Sequence, residues 1–264
     1  MDLQLTNKTA LVTGSTAGIG FAIASLFARE GAAVVVNGRS QARVDAAIEN
    51  IRREQENARA TGIASDLGTR KGVDLLTHAL PQVDILVNNL GIFEPKPFTE
   101  IPDEDWLRFF EINVLSGVRL SRFYLPGMLK RNWGRIVFIS SESALNIPVE
   151  MIHYGITKTA QVALARGLAE MTSGTSVTVN SVLAGPTRSE GVEVFLQSIA
   201  KAQGIDTAAL EKEFFHSVRP SSLLKRFATP EEVAPMVVYV CSPLASATNG
   251  AALRVEGGVV RSIV

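Results

Sequence analysis

The sequence predicts a doubly wound α/β fold, and three observations predict it. Seven short, apolar, β-prone runs recur almost from end to end of the 264 residues: KTALVT, AAVVVN, ATGIAS, DILVNN, RIVFIS, SVTVNSVL and ALRV. Between them lie longer segments with apolar residues three and four apart, such as FAIASLFAREG from Phe21 to Gly31, the spacing of a helix with a buried face. No internal repeat, low-complexity tract or linker divides the chain. Strands that are apolar on both faces must be covered on both, which calls for a parallel sheet with helices on each side. The expectation is one domain over residues 1–264 with about seven strands. Such sheets bind ligands beyond the carboxyl ends of their strands, where the strand order reverses, so functional residues should follow strands.

Composition narrows the function. Hydrophobic residues make up 46% and charged residues 20% of the chain, too apolar for disorder and too interrupted by charge for a membrane protein. Lys plus Arg and Asp plus Glu both total 26, so the balance recruits neither nucleic acid nor an anionic membrane surface. Cys241 is the only cysteine, which excludes an internal disulfide and a multi-cysteine metal site; no metal site is expected. The first residues, MDLQLTNKTALV, lack a signal-peptide pattern, and no apolar run approaches the roughly 20 residues that span a bilayer, so the expected compartment is the cytoplasm.

Taken in order, the first strand runs into Thr13-Gly14-Ser15-Thr16-Ala17-Gly18-Ile19-Gly20 and then a helix. Glycines there permit a tight turn and a close backbone approach, and the helix N-terminus favours a phosphate. The spacing is G-x-x-x-G-x-G, not the common G-x-G-x-x-G, and it lacks the G-K-[ST] ending of a P-loop, so ATP fits poorly. The second strand ends at Asn37, Gly38, Arg39 and Ser40, where NAD-selecting folds place an acid on the ribose 2′-hydroxyl. No carboxylate stands there to repel a 2′-phosphate, and Arg39 can pair with one, so NADP(H) is preferred while NAD(H) stays possible. The alternative is that Arg39 is a solvated residue capping the turn.

Ser141 follows the fifth strand, and HYGITK from His153 to Lys158 follows it in turn. In a helix Tyr154 and Lys158, at i and i+4, share one face with Cβ atoms roughly 5–6 Å apart. By itself the pair also fits an amphipathic helix whose ring packs and whose amine is solvated. After the sixth strand, residues 186–227 run without an obvious strand; VEVFLQSIAKAQ and TAALEKEFFHSV predict two amphipathic helices. A connection this long reads as a substrate-binding lid, the alternative being a purely structural insertion. Val192, Val194, Phe195, Leu196, Ile199, Phe214 and Phe215 make it apolar.

Together TGSTAGIG, NNLG at Asn88 to Gly91, Asn113, Ser141 and Tyr154 with Lys158 resemble the short-chain dehydrogenases/reductases, and the likeness runs nearly the whole chain, through ATPEEVAPMVVYVCSPLASATNGAALRVEGG. The resemblance implies a Rossmann-type fold whose cofactor-binding residues are Gly14, Ser15, Thr16, Gly18, Ile19, Gly20, Arg39, Asp66, Asn88, Gly91, Tyr154, Lys158, Gly185 and Ser189. Asp66 matches the family's adenine-binding aspartate, with a helix N-cap role as its rival. Asn113, Ser141, Tyr154 and Lys158 match the catalytic residues: Ser141 holding the substrate oxygen, Tyr154 exchanging its proton, Lys158 holding the cofactor ribose, and Asn113 supporting a water linked to the lysine. A phenol near pKa 10 is a poor acid–base group at neutral pH, and the Lys158 ammonium is expected to pull it down. His153 and Glu142 neighbour these positions and match no invariant role. Two departures stand out: Leu90 where the family has alanine, and Ala184 before Gly185 with Ser189 in the place of a threonine.

The function implied is an NADP(H)-dependent carbonyl reductase or alcohol dehydrogenase acting on a small carbonyl or alcohol, with a 3-oxoacyl thioester one plausible substrate; the alternative is a non-enzymatic NADP(H) sensor. Nucleic acid and membrane are not expected partners. A homodimer or homotetramer is expected by resemblance, and because the helix from about Met151 to Met171 is apolar beyond one stripe, at Ile152, Ile156, Val162, Ala163, Leu164 and Leu168.

Overall fold

Each of the seven expected runs forms a strand: β1 Thr9–Val12, β2 Ala33–Gly38, β3 Ala60–Ala64, β4 Ile85–Asn88, β5 Gly134–Ser141, β6 Val177–Ala184 and β7 Ala252–Val255. The computed structural model describes residues 1–204 and 206–263, without the side chains of residues 195, 199 and 201–203. All strand pairs are parallel, in the order β3-β2-β1-β4-β5-β6-β7. Among the described residues nine α-helices connect or flank them: α1 Gly18–Arg29, α2 Gln41–Glu54, α3 Arg70–Ala79, α4 Asp103–Phe110, α5 Ser116–Lys130, α6 Ile152–Glu170, α7 Glu190–Gln203, α8 Thr207–Glu213 and α9 Pro230–Val240.

Alternation within the strands builds two cores. Ala10, Val12, Val34, Val36, Ile85, Val87, Val137 and Ile139 join α1, α2 and α9 on one face, through Phe27, Ile51 and Val237. Their neighbours Leu11, Val35, Leu86, Ile136 and Phe138 face the other way, onto α3, α5 and α6 through Leu76, Leu120 and Ala165. A two-residue side-chain period sends successive residues to opposite faces, and both faces here are dry. Each fully buried side chain of the size of Leu11 or Phe138 contributes roughly 1.5–3 kcal/mol over an exposed position. No helix among the described residues is long and apolar enough to cross a membrane.

The strand order reverses between β1 and β4, and the Thr13 hydroxyl secures that seam. It accepts the N–H groups of Asn89 and Leu90, both at 2.9 Å, while the Thr13 N–H donates to the Val87 carbonyl at 3.0 Å. The crevice beyond these strand ends is the ligand position that the topology provides.

Residues 186–227 contain the two expected helices, α7 and α8, and the second gives way to a π-helical turn, Phe214–Val218. A parallel bridge between Thr187 and Ala228 closes the base of the segment. Inside it Phe214, Phe215 and Phe227 lie with ring centroids 5.0–5.2 Å apart and pack with Leu196, a small core separate from the other two. Val194, expected in the apolar lid, is instead 63% exposed, because it lies on the opposite side of α7 from the buried Leu196. The side chains of Phe195 and Ile199 lie outside the described residues. On α6, Ile156 is exposed and Ile152, Val162, Leu164 and Leu168 are half-buried, so part of its apolar surface is uncovered.

Candidate active site

The turn after β1 is shaped by glycine. Gly14 and Gly18 hold φ of +60° and +57°, conformations costly for other residues. A Cβ on Gly20 would lie 2.4 Å from Asn89 Nδ2 and 2.5 Å from the Gly14 carbonyl oxygen, so only a bare backbone fits. No side chain caps α1 and no acid stands in its first turn, which leaves N–H groups at a positive helix end free to meet an anion. Ser15 lies beneath the turn: fully buried, its Oγ donates to the Val12 carbonyl at 2.6 Å and accepts the Asn37 N–H at 3.0 Å. Its hydroxyl is committed to these two backbone groups and shapes the loop. Asn37, which sequence reasoning used only as a non-acid, is the hub, accepting the Gly14 N–H at 3.3 Å and donating to the Ile63 and Ser65 carbonyls.

Arg39 stands exposed at the end of β2 with no ion pair among the described residues. Asp66, exposed after β3, turns its Oδ1 onto the Gly68 N–H at 3.1 Å. The cap of α3 is Thr69, which accepts the Gly72 N–H at 3.0 Å, so Asp66 is not the N-cap. Asn88 is buried and points to Ser121 at 3.3 Å; its neighbour Asn89 lines the crevice, with Nδ2 donating to the Thr13 and Gly14 carbonyls.

Ser141, Tyr154 and Lys158 meet at one cavity of about 250 Å³, whose wall also includes Ile19, Gly91, Gly185 and Ser189. Ser141 ends β5 in register with Ala184 of β6, and its Oγ accepts the Ser143 N–H at 3.1 Å. Lys158 is buried, with Nζ 5.6 Å from the centre of the Tyr154 ring, donating to the Ile139 carbonyl at 2.9 Å and Gln161 Oε1 at 3.1 Å. A Cβ on Gly91 would sit 3.4 Å from Nζ, so the chain passes directly over the amine. Gly185 is equally pressed, a Cβ there lying 2.5 Å from the Glu256 carbonyl oxygen. Ser189 caps α7, accepting the Val192 N–H at 3.4 Å.

Asn113 lies in a π-helical turn, Glu111–Leu115, that joins α4 to α5. The side chain is fully committed: Oδ1 accepts the Ile92 N–H at 2.8 Å, and Nδ2 donates to the Ile92 carbonyl and Thr157 Oγ1, both at 3.0 Å. Its backbone carbonyl accepts Gln161 Nε2 at 2.6 Å, so Gln161 ties Asn113 to Lys158. Gln161 is missing from the sequence reading, although it stands on the face of α6 that carries Tyr154 and Lys158, at i+7 and i+3.

The acidities differ from expectation. Burial pushes the Tyr154 phenol from 10.0 up to about 12; a hydrogen bond with Ser141 and the Arg219 charge pull it down, and Glu142 pushes it up. Lys158 is not among the groups that set it, because its amine points away to Ile139 and Gln161. Burial draws Lys158 itself from 10.5 to about 8. The second cation at the site is thus Arg219, paired with Glu142 across 2.8 Å, and both line the cavity. His153 is fully buried against Phe109, ring centres 4.0 Å apart, and its nitrogens have no hydrogen bond among the described residues.

A glycine-shaped anion seat at a strand-order switch, beside a cavity holding serine, tyrosine and lysine, defines a dinucleotide-dependent oxidoreductase. Comparison agrees: the short chain dehydrogenase profile matches residues 8–198, and the chain belongs to that family. It is 50% identical to the oxidoreductase YvaG of Bacillus subtilis over the full length of both. It is 33% identical to the 3-oxoacyl-[acyl-carrier-protein] reductase FabG of Aquifex aeolicus, covering 98% of this chain and 100% of the relative. It superposes on L-sorbose reductase of Gluconobacter frateurii, complexed with NADPH and L-sorbose, with TM-score 0.93, 31% identity and full coverage of both chains. The chain is therefore an NAD(P)-dependent dehydrogenase/reductase and not a mere sensor.

The buried amine has a thermodynamic signature. With Lys158 at about 8 folded and 10.5 unfolded, the unfolded chain binds more protons between those values, so stability rises with pH through that window. Above its ordinary 9.0, Cys241, pushed up to about 12 by burial, acts in the opposite sense. Urea midpoints should therefore climb between pH 8 and 9 in the wild type relative to Lys158→Met, which retains Cys241. Parallel profiles for the two proteins would rule out a buried, easily neutralised amine.

Proposed function

We propose that the chain is an NADP(H)-dependent reductase that interconverts a ketone or aldehyde with its alcohol. The observation that carries this reading is the convergence of Ser141, Tyr154 and Lys158 on one cavity next to the glycine turn. When bound, the nicotinamide supplies or accepts the hydride. The first turn of α1 would hold the pyrophosphate, Arg39 the 2′-phosphate, Asp66 the adenine, and Lys158 the ribose hydroxyls. Gly91 runs beside the Lys158 amine, and Gly185 packs on the Glu256 backbone too closely for any side chain.

On the substrate side, Ser141 Oγ holds the carbonyl oxygen and Tyr154 delivers a proton to it, or removes one from the alcohol in the reverse direction. A phenol held near 12 keeps its proton at neutral pH, which suits reduction. Asn113, through Gln161, fixes Lys158 under the crevice and starts the path by which protons return from solvent. Residues 186–227 close over the substrate as a lid, with Phe214 and Phe227 in its cavity wall. The likeness to FabG supports a 3-oxoacyl type of substrate, and the likeness to L-sorbose reductase supports a small hydroxylated ketone. The second fits better a cavity that carries Glu142, Ser143 and Arg219 beside Ser141.

Replacing Tyr154 by Phe should lower kcat for the best carbonyl substrate by about 100-fold or more while leaving the NADPH dissociation constant within about twofold. Turnover equal to wild type would remove the phenol from the reaction. For the cofactor, wild type should bind NADPH more tightly than NADH, and Arg39→Ala should erase most of that gap by weakening NADPH alone. Equal wild-type affinities would overturn the assignment. The uncovered apolar surface of α6, Ile156 above all, supports a homodimer or homotetramer; a monomer by sedimentation at micromolar concentration would exclude it.

A further inference from the structure

We propose that Arg219, clasped by Glu142 and Glu150, selects neutral ketones that carry a hydroxyl on the carbon beside the reacting carbonyl and turns away those that carry a carboxylate there. The proposal rests on the reading of Ser141 and Tyr154 as the groups that hold the carbonyl.

Arg219 closes the π-helical turn at the end of the lid and reaches back 77 residues along the chain to Glu142. Both are buried, at 6% and 3% exposure, yet both line the cavity that holds Ser141 and Tyr154. Arg219 Nε donates to Glu142 Oε1 at 2.8 Å, and Nη1 donates to Glu150 Oε1 and the Val218 carbonyl, each at 3.0 Å. Nη2 makes no hydrogen bond among the described residues. Burial works against the charge on Arg219, but Glu142 and Glu150 outweigh it and hold its pKa above the ordinary value, so the guanidinium stays charged.

Position makes this pair a reader of the group next to the carbonyl. Glu142 follows Ser141 directly, and its Oε2 accepts Ser141 Oγ at 3.4 Å as well as Ser143 Oγ. A substituent one carbon from an oxygen held at Ser141 therefore meets the Glu142 carboxylate and the open edge of Arg219, whereas Phe93, Met151, Leu196, Phe214 and Phe227 make an apolar stretch of the same wall. A neutral hydroxyl can accept from Nη2 and donate to Glu142 at once, satisfying both without changing the charge. A carboxylate meets one guanidinium already shared between two carboxylates, so it adds a third negative charge to a site with one positive charge. The other cation of the cavity, Lys158, is spent on Ile139 and Gln161. A site that hydrogen-bonds a substrate hydroxyl also penalises the analogue that lacks it, because its buried polar groups are then left unpaired.

The test uses the full-length protein with NADPH and three compounds of one skeleton: 1-hydroxy-2-butanone, 2-butanone and 2-oxobutanoate. Wild type should show kcat/KM for the hydroxyketone about tenfold or more above 2-butanone, with 2-oxobutanoate lowest. Intrinsic carbonyl reactivity is controlled by the variant combining Glu142→Gln and Glu150→Gln with Arg219→Met, which removes all three charges and strands none of them. There the hydroxyketone advantage should fall to about twofold or less and the oxoacid should gain relative to both ketones. A parallel measurement follows binding of the three compounds to Tyr154→Phe with NADPH bound, by nicotinamide fluorescence, and should give the same ranking without turnover. If no compound is reduced by wild type but the binding order holds, the reductase reading fails and the selectivity stands. Equal binding of all three compounds, or a wild-type ranking that survives unchanged in the charge-free variant, overturns the proposal.

Discussion

The candidate site depends on burying one amine. Moving an ammonium out of water is costly, and Lys158 stays inside because the Ile139 carbonyl and Gln161 Oε1 receive it. Neither partner is available by accident. Ile139 belongs to β5, the strand whose end carries Ser141, and Gln161 is held by the Asn113 carbonyl, which the π-helical turn between α4 and α5 directs toward α6. In a regular helix that carbonyl would bond within its own helix; the extra residue of a π turn frees it. The same α6 carries Tyr154, so the structure that accommodates the amine also sets the phenol against Ser141.

Two supports hold this arrangement from either side. The Thr13 hydroxyl fixes the seam between β1 and β4, and through Asn89 it aligns the glycine turn with the start of NNLG. On the far side, Glu142 and Arg219 tie the residue after Ser141 to the segment that follows β6. An ion pair buried this deeply contributes little net stability, since desolvation offsets attraction, but separating its members would strand a charge. Its effect is to join the position of the turn Phe214–Val218 to the surroundings of Ser141.

Much of this was legible in the sequence, for identifiable reasons. Strands buried on both faces read as apolar runs, so all seven were visible, and glycines with positive φ or no room for a Cβ, such as Gly14 and Gly20, were visible as spacing. Ser141, Tyr154 and Lys158 were readable through their resemblance to the short-chain dehydrogenase motifs; helix periodicity alone placed the last two on one face. What escaped depends on contacts far apart in the chain. Asn37 looked like the absence of an acid, yet it organises the turn through Gly14, Ser15 and Ser65. Arg219 carries no local signal at all, because its partner Glu142 is 77 residues away. The expectation that Lys158 lowers the pKa of the Tyr154 phenol failed because of where the amine points: spacing brings two residues to one face, but the direction of an amine is decided by the acceptors that surround it.

That last point separates two tasks that a single cation is often asked to perform. Lys158 lies beneath the crevice, committed to acceptors on β5 and α6, in a place suited to a ribose. Among the described residues the cation that acts on the phenol is Arg219, which ends the turn Phe214–Val218 and is already bound to two carboxylates. Burial is the largest influence on the phenol, so its hold on the proton is set first by the sealing of the cavity, then by the Ser141 hydrogen bond and the opposed charges of Glu142 and Arg219.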